Sequence, residues 1–328
     1  MRVRVHYSQQ NRGPVEPLLR ARNEIVGMGV DLKLEDGSPP DPKFGGVVVA
    51  QQTSLSPQLL DQMTESCKVI LQERVDSAIL WTRQLIQHPR VKKVFKIAII
   101  KDHEKNNETR GRFHSIVIDP SQKQPPSIML SPEALRKGVA QPSYFAYDIL
   151  QSLYDREIDF DAVRPYVIHF AGTVRYDRED ITKHRQQAVA AIAKCPGNHV
   201  CNDGKPMGRV EYWDTLQKSM VCVSPWGYGE MCYRDYEALL LGAVLVKPDT
   251  SWVQTYPDIL IPNVTYLTCR HDFADLPDVV SKLQDEWKSW RDRRYAVREL
   301  LKRHNTPASL ASWYVEKFRE LQHEGRRG

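Results

Sequence analysis

The 328-residue sequence predicts an α/β protein of two successive units, each built on a parallel sheet, and three observations carry that expectation. Short apolar runs alternate with helix-period segments at the spacing that parallel strands and crossover helices produce. A β-loop-α-β unit stands out over residues 219–248, its glycine-bearing loop at the carboxyl end of the first strand, the edge where open parallel sheets bind ligands. Between Tyr144 and Pro165 a helical segment gives way to the charged run DREIDFDAVRP, and Arg164-Pro165 favours an extended connection, which places a domain boundary there.

Taken in order, Met1 to Tyr7 alternates and is rich in valine, as an opening strand does. Gln9 to Gly13 lacks both a GxGxxG and a Walker lysine, so it reads as an ordinary turn, and His6 as a core histidine. A helical segment follows over 15–26, and Gly29 leads into a strand around 30–34. Gly45-Gly46 precedes VVVA at 47–50, the continuous apolar run of a strand covered on both faces. Ser56-Pro57 starts a helix, with serine as cap and proline in the first turn. Further strands are expected at 69–71, 96–100, 115–118 and 127–130. In the second half, YVIHF at 166–170 is a strand with an interior His169, and helices follow over 181–193 and 210–218. Trp252 to Tyr256 reads as a short helical piece and Val264 to Thr268 as a late strand. Val279, Leu283, Trp287 and Trp290 recur on one helix face, and the basic run from Lys288 to Lys302, broken by Asp292 and Glu299, reads as a solvated face. Thr306-Pro307 caps a last helix whose Leu310, Trp313, Tyr314, Phe318 and Leu321 form an apolar stripe that must be docked.

Composition narrows the function classes. Hydrophobic residues make up 41% and charged residues 27%, the balance of a globular enzyme. No apolar run reaches the ~18 residues that span a bilayer, and MRVRVHYS lacks the apolar centre of a signal peptide, so no integral membrane segment and a cytoplasmic location are expected. The net charge of +5 is mild and not gathered into one stripe, which argues against a nucleic-acid partner. Six cysteines without a CxxC pair favour reduced thiols. No metal is expected: Asp159-Phe160-Asp161 follows a polar stretch and reads as an acidic linker, and Cys195, His199 and Cys201 match no common zinc spacing.

The stretch SMVCVSPWGYGEMCYRDYEALLLGAVLVKP holds the sharpest signal. Met220 to Val223 reads as a buried strand, a loop with Gly227 and Gly229 follows, Met231 to Leu241 has helical spacing, Gly242 stops it, and Ala243 to Val246 returns as a strand. The helix aims its free N–H groups and positive dipole end at the loop, so an anion is welcome there. Arg234 sits in the first turn, on the wrong side of that dipole by about 0.3–1 kcal/mol, and needs a negative partner. Two fit: Glu230, four residues earlier, or a ligand phosphate gripped by the planar guanidinium.

SPWGYGEMCYRDYEALLLGAVLVKP resembles the nucleotide-sugar-binding segment of GT-B glycosyltransferases of the exostosin-like and group 1 type, closely over about thirty residues and in order of elements over much of the second half. The resemblance implies two facing Rossmann-like domains: residues 1–163 on the acceptor side, 164–305 binding the nucleotide sugar, and a helix over 306–328 crossing back onto the first. It implies that Arg234 contacts the diphosphate, that Glu237 holds the ribose hydroxyls, and that Ser224, Gly227 and Gly229 line the sugar and phosphate path beside Glu230 and Tyr233. HFAGTVR resembles the first loop of the family's second domain, so Gly172 would let the backbone approach, Thr173 donate a hydroxyl and Arg175 add charge. Glu230 and Glu237 are seven apart where retaining members often carry glutamates eight apart, which leaves the stereochemical class open. Asp102 and His103, just beyond a buried strand, are the candidates for deprotonating an acceptor hydroxyl.

The implied activity is metal-independent transfer of a hexose or pentose from a UDP- or GDP-sugar to a hydroxyl of a glycan, with no cofactor beyond the nucleotide-sugar substrate. The alternatives are a GT-B nucleotide-sugar epimerase and a non-catalytic glycan-binding protein that keeps the fold.

Overall fold

The computed structural model describes residues 1–73, 82–101, 131–143, 150–202 and 205–323. These cluster into two compact units: the described residues of 1–101 and 131–143 with those from Arg303 onward, and residues 150–302.

The first unit carries β1 (Arg2–Tyr7), α1 (Glu16–Arg20), α2 (Arg22–Gly27), β2 (Asp31–Asp36), β3 (Val47–Gln51), α3 (Pro57–Gln62), β4 (Lys68–Gln72), α4 (Arg83–Gln87), β5 (Val91–Lys96), β6 (Ala98–Ile100), α5 (Pro132–Leu135) and β7 (Gly138–Ala140). Six of its strands form a parallel sheet in the order β2-β1-β3-β4-β5-β7. Val48, Ala50, Val69, Leu71 and Val94 pack from the sheet onto Leu60 of α3 and Ile86 of α4. Ser56 caps α3 as its sequence promises, accepting from the Leu59 N–H at 3.1 Å. The strand expected at 96–100 is two strands, and its main part lies earlier in VKKVFK: Lys92 and Lys93 broke the apolar run in sequence, yet Val91, Val94 and Phe95 are wholly buried.

The second unit carries α6 (Gln151–Asp155), β8 (Tyr166–Phe170), α7 (Glu179–Ile192), β9 (His199–Cys201), α8 (Arg209–Gln217), β10 (Ser219–Val223), α9 (Tyr233–Leu240), β11 (Val244–Pro248), β12 (Val253–Thr255), β13 (Tyr266–Cys269), α10 (Leu276–Asp285) and most of α11 (Arg291–His304). Its parallel five-stranded sheet has the order β13-β11-β10-β8-β9. The chain therefore starts at β8, steps to one side for β9 and returns to the other for β10. Ile168, Val221 and Val244 stand in register, and Phe170, Val223 and Val246 join Ala188, Ile192, Val280 and Leu283 in one core. Gly242, at φ +72°, ends α9 in the left-handed conformation.

The last helix, α12 (Pro307–His323), belongs to the first unit and lies against α1 and α2. Its stripe is docked through aromatic contacts, with Phe95 of β5 5.1 Å from the Trp313 ring and 6.2 Å from that of Tyr314. Each such pair contributes about 0.5–1.5 kcal/mol beyond area burial.

Two further expectations are corrected. Residues 253–255 form a strand instead of a helical piece, because Val253 and Thr255 are β-branched, bury alternately, and stand just before Pro257. The basic run over 288–302 is only partly solvated. Arg294 and Arg298 are buried and donate to carbonyl oxygens at the end of α9: Arg294 Nη1 to Gly242 O at 3.2 Å, and Arg298 Nε to Leu240 O at 2.8 Å. Arg164 joins them, reaching Ser219 O at 2.9 Å and Leu241 O at 3.4 Å. The strands expected at 115–118 and 127–130 lie outside the described residues.

Among the described residues no helix is long and apolar enough to cross a membrane. The six cysteines are free, and no group of three His, Cys, Asp or Glu side chains among the described residues could hold a metal ion.

Candidate functional site

The order of the second sheet reverses between β8 and β10, and the carboxyl ends of the strands at such a switch point are the usual ligand position in an open parallel sheet. The loop after β8 spans 171–178 and the loop after β10 spans 224–232.

A buried ion pair fixes the second loop to the start of α9. Asp235, in the first turn, accepts from the Cys232 N–H at 3.0 Å, from Lys247 Nζ at 2.8 Å and from Ser224 Oγ at 2.6 Å. Lys247, on β11, also donates to the Glu230 carbonyl at 2.6 Å. Neither charged side chain has any solvent exposure. Such a pair persists because each ion has further hydrogen bonds, and removing one partner of a buried pair typically costs about 3–5 kcal/mol. With Cys232 as N-cap, Asp235 also completes a capping box. Asp235 and Lys247 escape a sequence reading, although both left a trace: an acid three residues beyond the cap, and a lysine interrupting the apolar run VLVKP.

Arg234 occupies the same first turn and is only 8% exposed. Its Nη2 donates to Ala171 O at 3.2 Å, and the guanidinium carbon stands 5.0 Å from the Phe170 ring centre. Its Nε and Nη1 have no hydrogen-bond partner among the described residues. Gly172 makes this seat possible, since a Cβ there would lie 2.2 Å from Arg234 Nη2.

A second arginine shares the switch point. Arg185 of α7, 3% exposed, donates from Nε to Trp226 O at 3.0 Å and from Nη1 to Thr173 O at 2.6 Å, and stacks 4.8 Å from the Tyr176 ring. It therefore holds a carbonyl from each of the two loops. Burial and the neighbouring Arg234 charge both push its guanidinium down from its ordinary value. Among the described residues neither arginine makes an ion pair, and the nearby carboxylate of Asp235 is committed to Lys247. Arg185 was legible only as an arginine in the apolar phase of Ile181, Ala188 and Ile192.

The histidines nearby add no positive charge. His184 accepts from the Trp226 N–H at 3.2 Å and is pushed down to about 3, first by burial and then by His271 and Arg185. His169, facing Thr215 Oγ1 at 3.1 Å, is likewise pushed to about 3 by burial and the Arg234 charge.

Of the other residues singled out in sequence, Ser224 is wholly buried and positions Asp235 with its hydroxyl. Gly227 lies against Arg185, whose Nη2 would be 3.3 Å from a Cβ there, and its N–H donates to Gly229 O at 3.2 Å. Tyr233 is half-buried and Glu230 buried. Glu237, one helical turn beyond Arg234, is buried and accepts from Trp213 Nε1 at 2.9 Å. Burial raises its carboxyl from the ordinary value, against the Trp213 bond and the Arg234 charge. Thr173 and Arg175 are exposed on the loop after β8, and the Gly172 N–H donates to Asn202 Oδ1 at 3.2 Å. Asp102 and His103 lie outside the described residues.

Two buried guanidinium groups thus stand beside the positive end of α9 with no ion pair among the described residues, the nearby carboxylates of Asp235 and Glu237 being hydrogen-bonded to Lys247 and Trp213. Guanidinium forks at a helix N-terminus are chemically able to receive an anion.

No family model and no curated protein matches the chain. Among solved structures, Anabaena HepE in complex with UDP is similar at a TM-score of 0.53 with 10% identity, covering 98% of this chain and 100% of that one. The same protein with UDP and glucose gives 0.52 and 8% over the same shares. A GtfA/B complex gives 0.52 and 11%, covering 93% of this chain and 60% of that one.

Proposed function

We propose that this chain, whose fold is that of the GT-B glycosyltransferases, transfers a sugar from a nucleotide-diphosphate sugar to a hydroxyl of a glycan acceptor. The observation that carries the reading is the pair Arg185 and Arg234: two buried cations that make no ion pair among the described residues, at a helix N-terminus and at the switch point of a parallel sheet. The UDP bound in HepE is an anion of the kind such guanidinium forks are able to receive.

In this reading the diphosphate seats against Arg234, whose Nε and Nη1 supply the donors left over by the protein. As the glycosidic bond breaks, charge grows on the leaving phosphate, and donors already fixed in place stabilise it without reorganising. Glu237, one turn along, accepts from the ribose hydroxyls. No metal is required by this scheme, because two guanidiniums and the helix dipole supply the counter-charge. Deprotonation of the acceptor falls to Asp102 or His103 on sequence grounds alone.

Thermal melting with UDP, GDP, CMP and dTDP tests the donor site. One diphosphate should stabilise selectively, by about 2.7 kcal/mol at a hundredfold excess over Kd. Uniform indifference to all four would remove the reading. The matching sugar nucleotide, incubated with EDTA present, should then release its diphosphate at an undiminished rate.

A further inference from the structure

We infer that Arg185 is the positioning residue of this site, a strut whose planar fork sets the spacing of the two loops between which Arg234 is seated. This deepens the nucleotide-sugar reading and rests on it. Arg185 touches both sides of the switch point at once: its Nη1 holds Thr173 O, at the loop after β8, and its Nε holds Trp226 O, at the loop after β10. The residue before Thr173 is Gly172, against which Arg234 Nη2 is packed so closely that a Cβ there would force the guanidinium to move, and the residue after Trp226 is Gly227, against which Arg185 Nη2 is packed. A change in the distance between the two carbonyls is therefore a change in the space available to the Arg234 guanidinium.

The surroundings match a part whose orientation matters as much as its charge. The Tyr176 ring covers the guanidinium at 4.8 Å, and Tyr176 meets the Tyr228 ring edge-on at 5.4 Å. Tyr228 donates to Asp177 Oδ1 at 2.5 Å, a second bond from one loop to the other on the solvent side. His184, the residue before Arg185, accepts from the Trp226 N–H, so the backbone N–H and C=O of Trp226 are both held from α7. An ammonium on a flexible stem does not reproduce a fork that meets two carbonyls at set angles beneath a ring.

Arg185→Lys separates strut from charge. Calorimetric titration with UDP, or with GDP where GDP is the diphosphate that stabilises the wild type, should show the affinity of Arg185→Lys at least tenfold weaker and close to that of Arg185→Gln. The melting temperature of Arg185→Lys should stay within a few degrees of wild type. Gly227→Ala, which leaves Arg185 in place and puts a methyl against its Nη2, should weaken binding about threefold, and it decides the matter alone if the Arg185 variants fail to fold. Wild-type affinity in Arg185→Lys, or in Gly227→Ala where only that variant folds, would overturn the strut. A wild type that binds neither diphosphate would overturn the nucleotide-sugar reading beneath it, which is a different result from normal binding by wild type and variants alike.

Discussion

The two ends of α9 each gather arginines, and they use them in opposite ways. At the carboxyl end Arg164, Arg294 and Arg298 converge on the carbonyls of Leu240, Leu241 and Gly242, which α9 leaves without partners. Cations belong at that end of the dipole, and their hydrogen bonds are directed at the backbone of the protein itself. At the amino end Arg234 sits where the dipole repels it, Arg185 adds a second charge, and two of the Arg234 nitrogens, against one each on Arg164 and Arg294, have no hydrogen-bond partner among the described residues. Both clusters are buried and both donate to backbone carbonyls; they differ in the end of the dipole they face and, in the proposed function, in whether a ligand anion completes them. The difference teaches that burial of an arginine says nothing about function until its donors have been accounted for one by one.

Substitutions at the two ends sharpen this contrast, beginning with the support beneath the amino end. Asp235→Ala strands Lys247 in the core and should lower stability by about 3–5 kcal/mol, read from urea unfolding. Arg234→Ala should instead cut turnover by about 10²–10³, the usual result of removing one preorganised donor, with a melting temperature close to wild type. Arg298→Ala should do the reverse: it leaves Leu240 O unsatisfied at a cost of about 1–3 kcal/mol, while turnover per folded molecule is unchanged. Equal effects of these two on turnover would break the comparison.

The smallest effect is a pH dependence. His184 and His169 are both depressed to about 3, so below the ordinary histidine range the unfolded chain binds protons that the folded chain does not. Stability from these groups is fully present above pH ~6.5 and is lost as pH falls toward 3. The urea midpoint should decline over that window, and His184→Gln should flatten the decline. A midpoint independent of pH there would contradict the buried, neutral assignment.

Much of the fold was legible because parallel strands buried on both faces are written as apolar runs, unbroken at 47–50 and 244–246 and interrupted only by His169 at 166–170. VKKVFK was missed because two lysines interrupt the run, and 253–255 was misread because a three-residue strand carries almost no periodic signal. At the site, Arg234 was legible because its place in a first helical turn is unfavourable by itself. Arg185 was not, because what makes it notable is a pair of carbonyls far from it in sequence, at Thr173 and Trp226. Asp235 and Lys247 were hidden for the same reason: each looks like a surface residue until the other is brought beside it.

The central claim is that the amino end of α9 is built for an anion and the carboxyl end is not. Calorimetric titration of UDP or GDP, whichever stabilises the wild type, into wild type, Arg234→Ala and Arg298→Ala tests it in one experiment. The account predicts saturable binding by wild type and Arg298→Ala with the same affinity, and a loss of at least tenfold in Arg234→Ala. Equal binding by Arg234→Ala and wild type, or a loss confined to Arg298→Ala, would contradict it.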